Sequence, residues 1–175
     1  MLFLHVQTFM QNFTEKAKDV LKRAEDAAGT LGNEYIGTEH ILMGLTLVQD
    51  SVAAKALEMQ NVTYHQVMER IAEMQVKKSR HFVPADLTPR AKRVIENSFI
   101  EAKKLGYDYI GTEHLLMGIL REGDSIAVRI MLELNVDLPK IYNEIINVIN
   151  ETEDISQDKG TNKGAKGSFN STPTL

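Results

Sequence analysis

The chain has 175 residues, 43% apolar and 25% charged, with 20 Lys and Arg against 24 Asp and Glu and no cysteine. That composition supports a sizeable core and excludes disulfides, thiolate metal sites and cysteine nucleophiles, which fits a reducing, cytoplasmic setting. A formal charge of −4, no Trp and few Tyr and Phe give neither the basic footprint nor the stacking platform of a nucleic-acid binder. No apolar run approaches the roughly 20 residues of a membrane span.

Residues 1–12 read as an N-terminal extension, mildly apolar but without the basic region and cleavage site of a secretory signal. Thr14 is an N-cap, followed at helical spacing by Ala17, Val20, Leu21, Ala24, Ala28 and Leu31. Gly32 stops that helix. A loop carrying Tyr35, Ile36 and Gly37 leads to Thr38, read as the cap of a helix through Ile41, Leu42, Leu45 and Val48. Asp50-Ser51 caps a third helix through Met59. Asn61 fits a left-handed C-terminal position, and Thr63 opens a fourth helix with Val67, Met68, Ile71 and Met74. Residues 77–86 form a short linker whose basic run, Lys77-Lys78-Ser79-Arg80, reads as a solvated connector rather than a nucleic-acid patch. Thr88-Pro89 then starts a helix with proline in its first turn, Gly106 stops it, and helices are predicted at about 112–121, 125–134 and 137–150. From 151 to 175 the chain turns to Gly, Ser, Thr, Asn, Asp and Lys. Such a segment buries too little surface to offset its ordering entropy and reads as a flexible linker.

The two halves are copies of one unit. Tyr35-Ile36-Gly37-Thr38-Glu39-His40 recurs letter for letter as Tyr109-Ile110-Gly111-Thr112-Glu113-His114, Leu42-Met43-Gly44 returns as Leu116-Met117-Gly118, and Asn61-Val62 as Asn135-Val136. Every pair is separated by the same offset (113 − 39 = 74), so the register needs no gap. The fold expected is all-α, a pseudo-twofold tandem repeat of two four-helix units spanning 13–76 and 87–150.

The repeated Gly-Thr-Glu-His invites a metal or acid–base reading. Adjacent Glu and His project about 100° apart on a helix and do not converge as metal ligands, and no nucleophile constellation recurs with them. The plainer reading puts Glu39 and Glu113 in a first helical turn, where the macrodipole favours carboxylates, and lets His40 and His114 satisfy local hydrogen bonds. The one glycine–lysine mixture, Gly160 to Ser168, fails the spacing of a phosphate-binding loop. Met43, Met59, Met68, Met74, Met117 and Met131 fall mostly on apolar stripes and read as core.

Thr14-Glu15-Lys16-Ala17, Thr88-Pro89-Arg90-Ala91-Lys92 and the doubled Gly-Thr-Glu-His resemble the N-terminal repeat domain of Clp-family AAA+ unfoldases, nearest to the ClpC type, from about Phe13 to Asn150. Ser171-Thr172-Pro173-Thr174-Leu175 resembles the segment that leads into the first ATPase module of those proteins, and Met10 fits the family's usual start. Arg121-Glu122-Gly123 matches a family turn that Leu47-Val48-Gln49 has lost. The resemblance implies a mobile, non-catalytic module on a hexameric ATPase ring, which recruits adaptor and substrate proteins for unfolding and delivery to the Clp peptidase. It holds no metal or cofactor of its own, since ATP and Mg belong to the ATPase modules. The resemblance also implies recognition of phosphorylated arginine, with one site per repeat. Glu39 and Glu113 would meet the guanidinium, Thr14 and Thr88 would lie near the phosphate, and Lys18 and Lys92 would follow one turn on. A carboxylate accepts paired guanidinium bonds, and a helix start offers free N–H groups to a phosphate. The expected arrangement is twin cradles, each pairing a glutamate with the opening threonine of its own half. The alternatives are an adaptor-docking module without phosphoarginine recognition and a metal-dependent enzyme built on the Glu-His pairs.

Overall fold

The computed structural model describes residues 11–75, 83–84 and 86–169, from 154 onward as backbone alone. Most of the N-terminal extension, the basic run of the linker and the Ser171–Leu175 motif lie outside the described residues. Eight helices fill the described chain. The first repeat contributes α1 (Glu15–Thr30), α2 (Thr38–Leu47), α3 (Val52–Met59) and α4 (Tyr64–Met74). The second contributes α5 (Pro89–Lys104), α6 (Thr112–Glu122), α7 (Ile126–Glu133) and α8 (Leu138–Phe169). The fold is all-α.

Most boundaries follow from local chemistry. Thr14 and Thr88 accept hydrogen bonds from the N–H groups of Ala17 and Ala91 at 3.2 and 3.1 Å. Ser51, Thr63 and Ser125 cap α3, α4 and α7 in the same way. These bonds satisfy amides that the first helical turn leaves without partners. Gly32 and Gly106 leave α1 and α5 with φ of 73° and 81°, while Asn61 and Asn135 take φ of 58° and 61°, the left-handed exits that glycine and asparagine tolerate.

Two features depart from the sequence reading. The backbone of α8 stays helical to Phe169, where a tether was expected from 151. No proline lies between Pro139 and Pro173, and a helix whose first half is docked adds each further residue without a new nucleation step. The phenol of Tyr107 also donates to the Glu153 carboxylate, which holds the first turn beyond 150. The second departure is a pair of parallel two-residue strands, β1 (Tyr35–Ile36) and β2 (Asp86–Leu87), joining the loop of one repeat to the approach of the other. Phe13 forms a parallel bridge to Ile110 at the equivalent place.

These pairings reflect a shared interior. Within each repeat the first two helices pack together, α1 on α2 and α5 on α6, while α3 packs on α8 and α2 on α7 across the repeats. One continuous apolar cluster runs through both halves, from Phe13 to Ile149. Polar contacts cross as well, with the Gln60 amide donating to the Glu144 carboxylate at 3.2 and 3.3 Å. The two repeats therefore form one folding unit, not two domains in series. Met43, Met117 and Met131 belong to this core, whereas Met59 and Met74 are exposed. Among the described residues no helix is long and apolar enough to cross a membrane.

The repeated Leu-Met-Gly has a packing cause. A Cβ on Gly44 would stand 2.4 Å from the Val20 carbonyl oxygen, and one on Gly118 would stand 2.5 Å from that of Val94. The missing side chain lets α2 close on the backbone of α1, and α6 on α5. At an open helical position Gly→Ala would stabilise by about 1 kcal/mol. Here the obstacle is backbone, so Gly44→Ala should instead destabilise by about 1–3 kcal/mol, read as a lower urea midpoint with an unchanged m-value.

Candidate functional site: a cleft between the repeats

The strand pairing decides which helix start meets which glutamate. The Thr88 N–H donates to the Ile36 carbonyl at 2.8 Å, and the Thr14 N–H donates to the Ile110 carbonyl at 2.9 Å. Glu39 consequently shares a cleft with Thr88, and the start of α1 lies against the Gly-Thr-Glu-His loop of the second repeat. The own-half pairing of Glu39 with Thr14 and Glu113 with Thr88 is thus corrected to a crossed one. The physical reason is that each loop hydrogen-bonds to the segment entering the other repeat.

The cleft holds about 770 Å³, within the range of small-ligand sites. Three helix starts converge on it: Gly37, Thr38 and Glu39 of α2, Thr88, Pro89 and Arg90 of α5, and Ser125 and Ile126 of α7, with Arg93 and Arg129 alongside. Convergent helix starts suit an anion through their dipoles, while the Gly37, Ala91, Ala127 and Val128 amides already have side-chain partners.

Thr38 has a different role from the one expected. Gly37 is the N-cap of α2, and the Thr38 hydroxyl accepts from the Ala127 N–H of α7 at 3.1 Å. In the other half Thr112 accepts from the Ala53 N–H at 3.3 Å. The threonine of each motif therefore ties its loop to the third helix of the opposite repeat. His40 and His114 complete the local structure, as their Nδ1 atoms accept from the N–H groups of Gly37 and Gly111 at 2.8 and 2.9 Å. Burial holds His40 at about 4 and pushes His114 down as well, so both accept through a neutral ring. The 3.4 Å approach of Glu39 to His40 is accordingly no ion pair. Among the described residues no three His, Asp or Glu side chains gather as metal ligands.

Glu39 is the cleft's most unusual group. Its side chain is 9% exposed, and its Oε2 has no hydrogen-bond partner among the described residues. Burial raises its pKa, and a bond from its own backbone N–H partly offsets that. The carboxylate folds back over Gly37, where a Cβ would sit 2.1 Å from Oε1. Gly111 stands in the same relation to Glu113, at 2.3 Å. The glycine before each Thr-Glu-His makes room for the carboxylate, for φ at Gly37 is −97°, open to any residue.

The remaining sequence-predicted residues are placed as follows. Thr88 lines the cleft and Thr14 opens α1 at the equivalent point. Lys18 pairs with Glu15 at 3.0 Å, and Lys92 pairs with Asp86 at 2.8 Å. Neither lysine is among the residues lining the cleft. The cations that do line it, Arg90, Arg93 and Arg129, were missed because on a sequence they look like solvated helix faces. Arg90 pairs with Asp124 at 3.1 Å and Arg93 with Glu122 at 3.4 Å. The signal available was Arg90 itself, two residues past the cap of a helix whose start had already been singled out.

Comparison with known proteins agrees with this architecture. The model of the Clp repeat (R) N-terminal domain matches residues 12–134 and 86–170. The "Negative regulator of genetic competence ClpC/MecB" of Bacillus subtilis is 39% identical over 163 residues, covering 93% of this chain and 20% of the relative. The chain thus spans about a fifth of the length of the curated relatives it matches. The N-terminal domain of the chaperone ClpD from Arabidopsis thaliana superposes with a TM-score of 0.66 at 18% identity, over 80% of this chain and 96% of that one. A complex of the ClpV N-domain with a VipB peptide superposes with a TM-score of 0.60 at 13% identity, over 75% and 82% of the two chains. With a family match that spans both repeats, the chain belongs to the Clp repeat N-terminal domain family.

Proposed function

We propose that this domain is the protein-recruiting module of a ClpC-type AAA+ unfoldase, and that it takes phosphorylated arginine side chains presented by adaptor or substrate proteins. The parent ring would supply ATP-dependent unfolding and pass its clients to the Clp peptidase. The observation that carries the reading is the Glu39 carboxylate. It is buried, has one oxygen unpartnered, and lies in a cleft where three helix starts meet. A guanidinium entering the cleft would engage the Glu39 carboxylate by a charge-assisted bond, and the helix starts would favour the phosphate through their dipoles. The bound peptide of the ClpV N-domain supports recruitment as the general task of this fold.

Calorimetry with phosphoarginine tests the proposal. Wild-type protein is expected to bind it, and the double variant Glu39→Ala, Glu113→Ala to lose binding. Undiminished affinity in the double variant would rule out these sites. Absent phosphoarginine binding with retained capture of an adaptor would favour a docking module without small-ligand recognition.

A further inference from the structure

The two cradles are built on one scaffold, and Lys16 donates to the Asp50 carbonyl as Arg90 does to that of Asp124. Their charges nevertheless differ. Around Glu39, the lining residues set three arginines (Arg90, Arg93, Arg129) against Glu39 and Asp124, a formal +1, and Glu122, paired with Arg90 and Arg93, brings the surroundings to zero. At the positions 74 residues away, Lys16 and Lys55 stand against Glu15, Asp19, Asp50, Glu58 and Glu113, a formal −3. The decisive exchanges are Asp19 for Arg93, which reverses a charge, and Glu58 for Leu132 and Glu15 for Pro89, which add one negative charge each. Arg129 and its counterpart Lys55 are both exposed and without a partner among the described residues, so the contrast lies at Arg93, whose equivalent place holds Asp19, a carboxylate paired with Arg23 at 3.2 Å.

We infer that the cradles are inequivalent: the Glu39 cradle selects the phosphorylated arginine, and the Glu113 cradle takes an unmodified basic side chain. This rests on the recruiting role proposed above. A phosphoarginine side chain is net anionic, and a dianionic phosphate gains from three guanidinium groups but is repelled by added carboxylates. A plain arginine carries only its positive charge, which the acidic surroundings of Glu113 favour. A client carrying one modified and one unmodified arginine would engage both halves at once and gain by effective concentration.

Single variants separate the cradles. In calorimetry with free phosphoarginine, Glu39→Ala should lower affinity at least tenfold, while Glu113→Ala should change it less than threefold. With free arginine as the probe the order should reverse. The exposed double change Asp19→Arg, Glu58→Leu, made in the Glu39→Ala background, should restore phosphoarginine binding through the second cradle. Equal losses in the two single variants, or two phosphoarginine sites of equal affinity in the wild type, would overturn the inequivalence and leave the recruiting role standing. No phosphoarginine binding by the wild type would overturn both.

Discussion

Replacing Gly37 with alanine should remove ligand capture in the first cradle while leaving the domain folded. The added methyl would fall 2.1 Å from Glu39 Oε1 and 2.7 Å from Oε2, so the carboxylate must leave its place over the helix start. The backbone has no reason to move, because φ of −97° and ψ of 177° lie in the extended region open to every L-residue. Loss of one partner from a buried, hydrogen-bonded charge pair costs about 2–5 kcal/mol, which corresponds to about 30-fold or more in affinity. Calorimetry should register that loss, while circular dichroism and thermal melting should follow the wild type closely. Gly111→Ala should do the same to the second cradle alone, its Cβ meeting Glu113 at 2.3 Å. The contrast with Gly44→Ala is diagnostic. There the obstacle is the Val20 backbone, and stability falls. At Gly37 the obstacle is a ligand-facing side chain, and recognition falls. A Gly37→Ala protein that binds as well as wild type would show that the carboxylate is not held where the ligand meets it.

The helices and their ends were legible because they rest on local chemistry. Thr14, Ser51, Thr63 and Thr88 act within three residues of themselves, and Gly32, Asn61, Gly106 and Asn135 take the left-handed turns their types favour. The crossing of the repeats was not legible. Two copies at a fixed offset look the same on paper whether each glutamate meets the helix start of its own half or of the other. Only the pairing of Tyr35–Ile36 with Asp86–Leu87, too short to leave an alternating pattern, decides between them. Thr38 was misread for a related reason. A threonine before a helix reads as its cap, and nothing local reveals that its hydroxyl serves Ala127, 89 residues away. Arg129 belongs to a third helix that reaches the cleft only through the tertiary fold. Glu39 and Glu113 were found because the repeat duplicated them, yet their glycines were first taken for loop residues. Their real constraint, space for the following carboxylate, requires coordinates.

Glu39→Gln should make the free domain more stable at neutral pH and a much poorer binder. Burial raises the Glu39 pKa above its ordinary value, so the folded domain holds that proton more tightly than the unfolded chain does. Stability linked to this group is fully present below the unfolded pKa and is lost as pH rises through the folded one. At neutral pH the domain therefore keeps a desolvated carboxylate whose Oε2 has no partner among the described residues. Glutamine preserves the shape and removes the charge. A gain of about 1 kcal/mol would raise Tm by about 2–4 °C in a domain of this size, and the gain should shrink as the wild type is acidified and Glu39 takes up its proton. Over the same window wild-type affinity for a guanidinium ligand should fall, beginning at a higher pH than an ordinary glutamate would give, and the glutamine variant should lack that component. A group retained at a cost to stability points to a use for its charge. Melting curves and titrations of both proteins across the acidic range decide the matter. A variant no more stable at neutral pH, with affinity intact, would mean that the buried carboxylate is a structural accident of the helix start rather than the centre of a binding site.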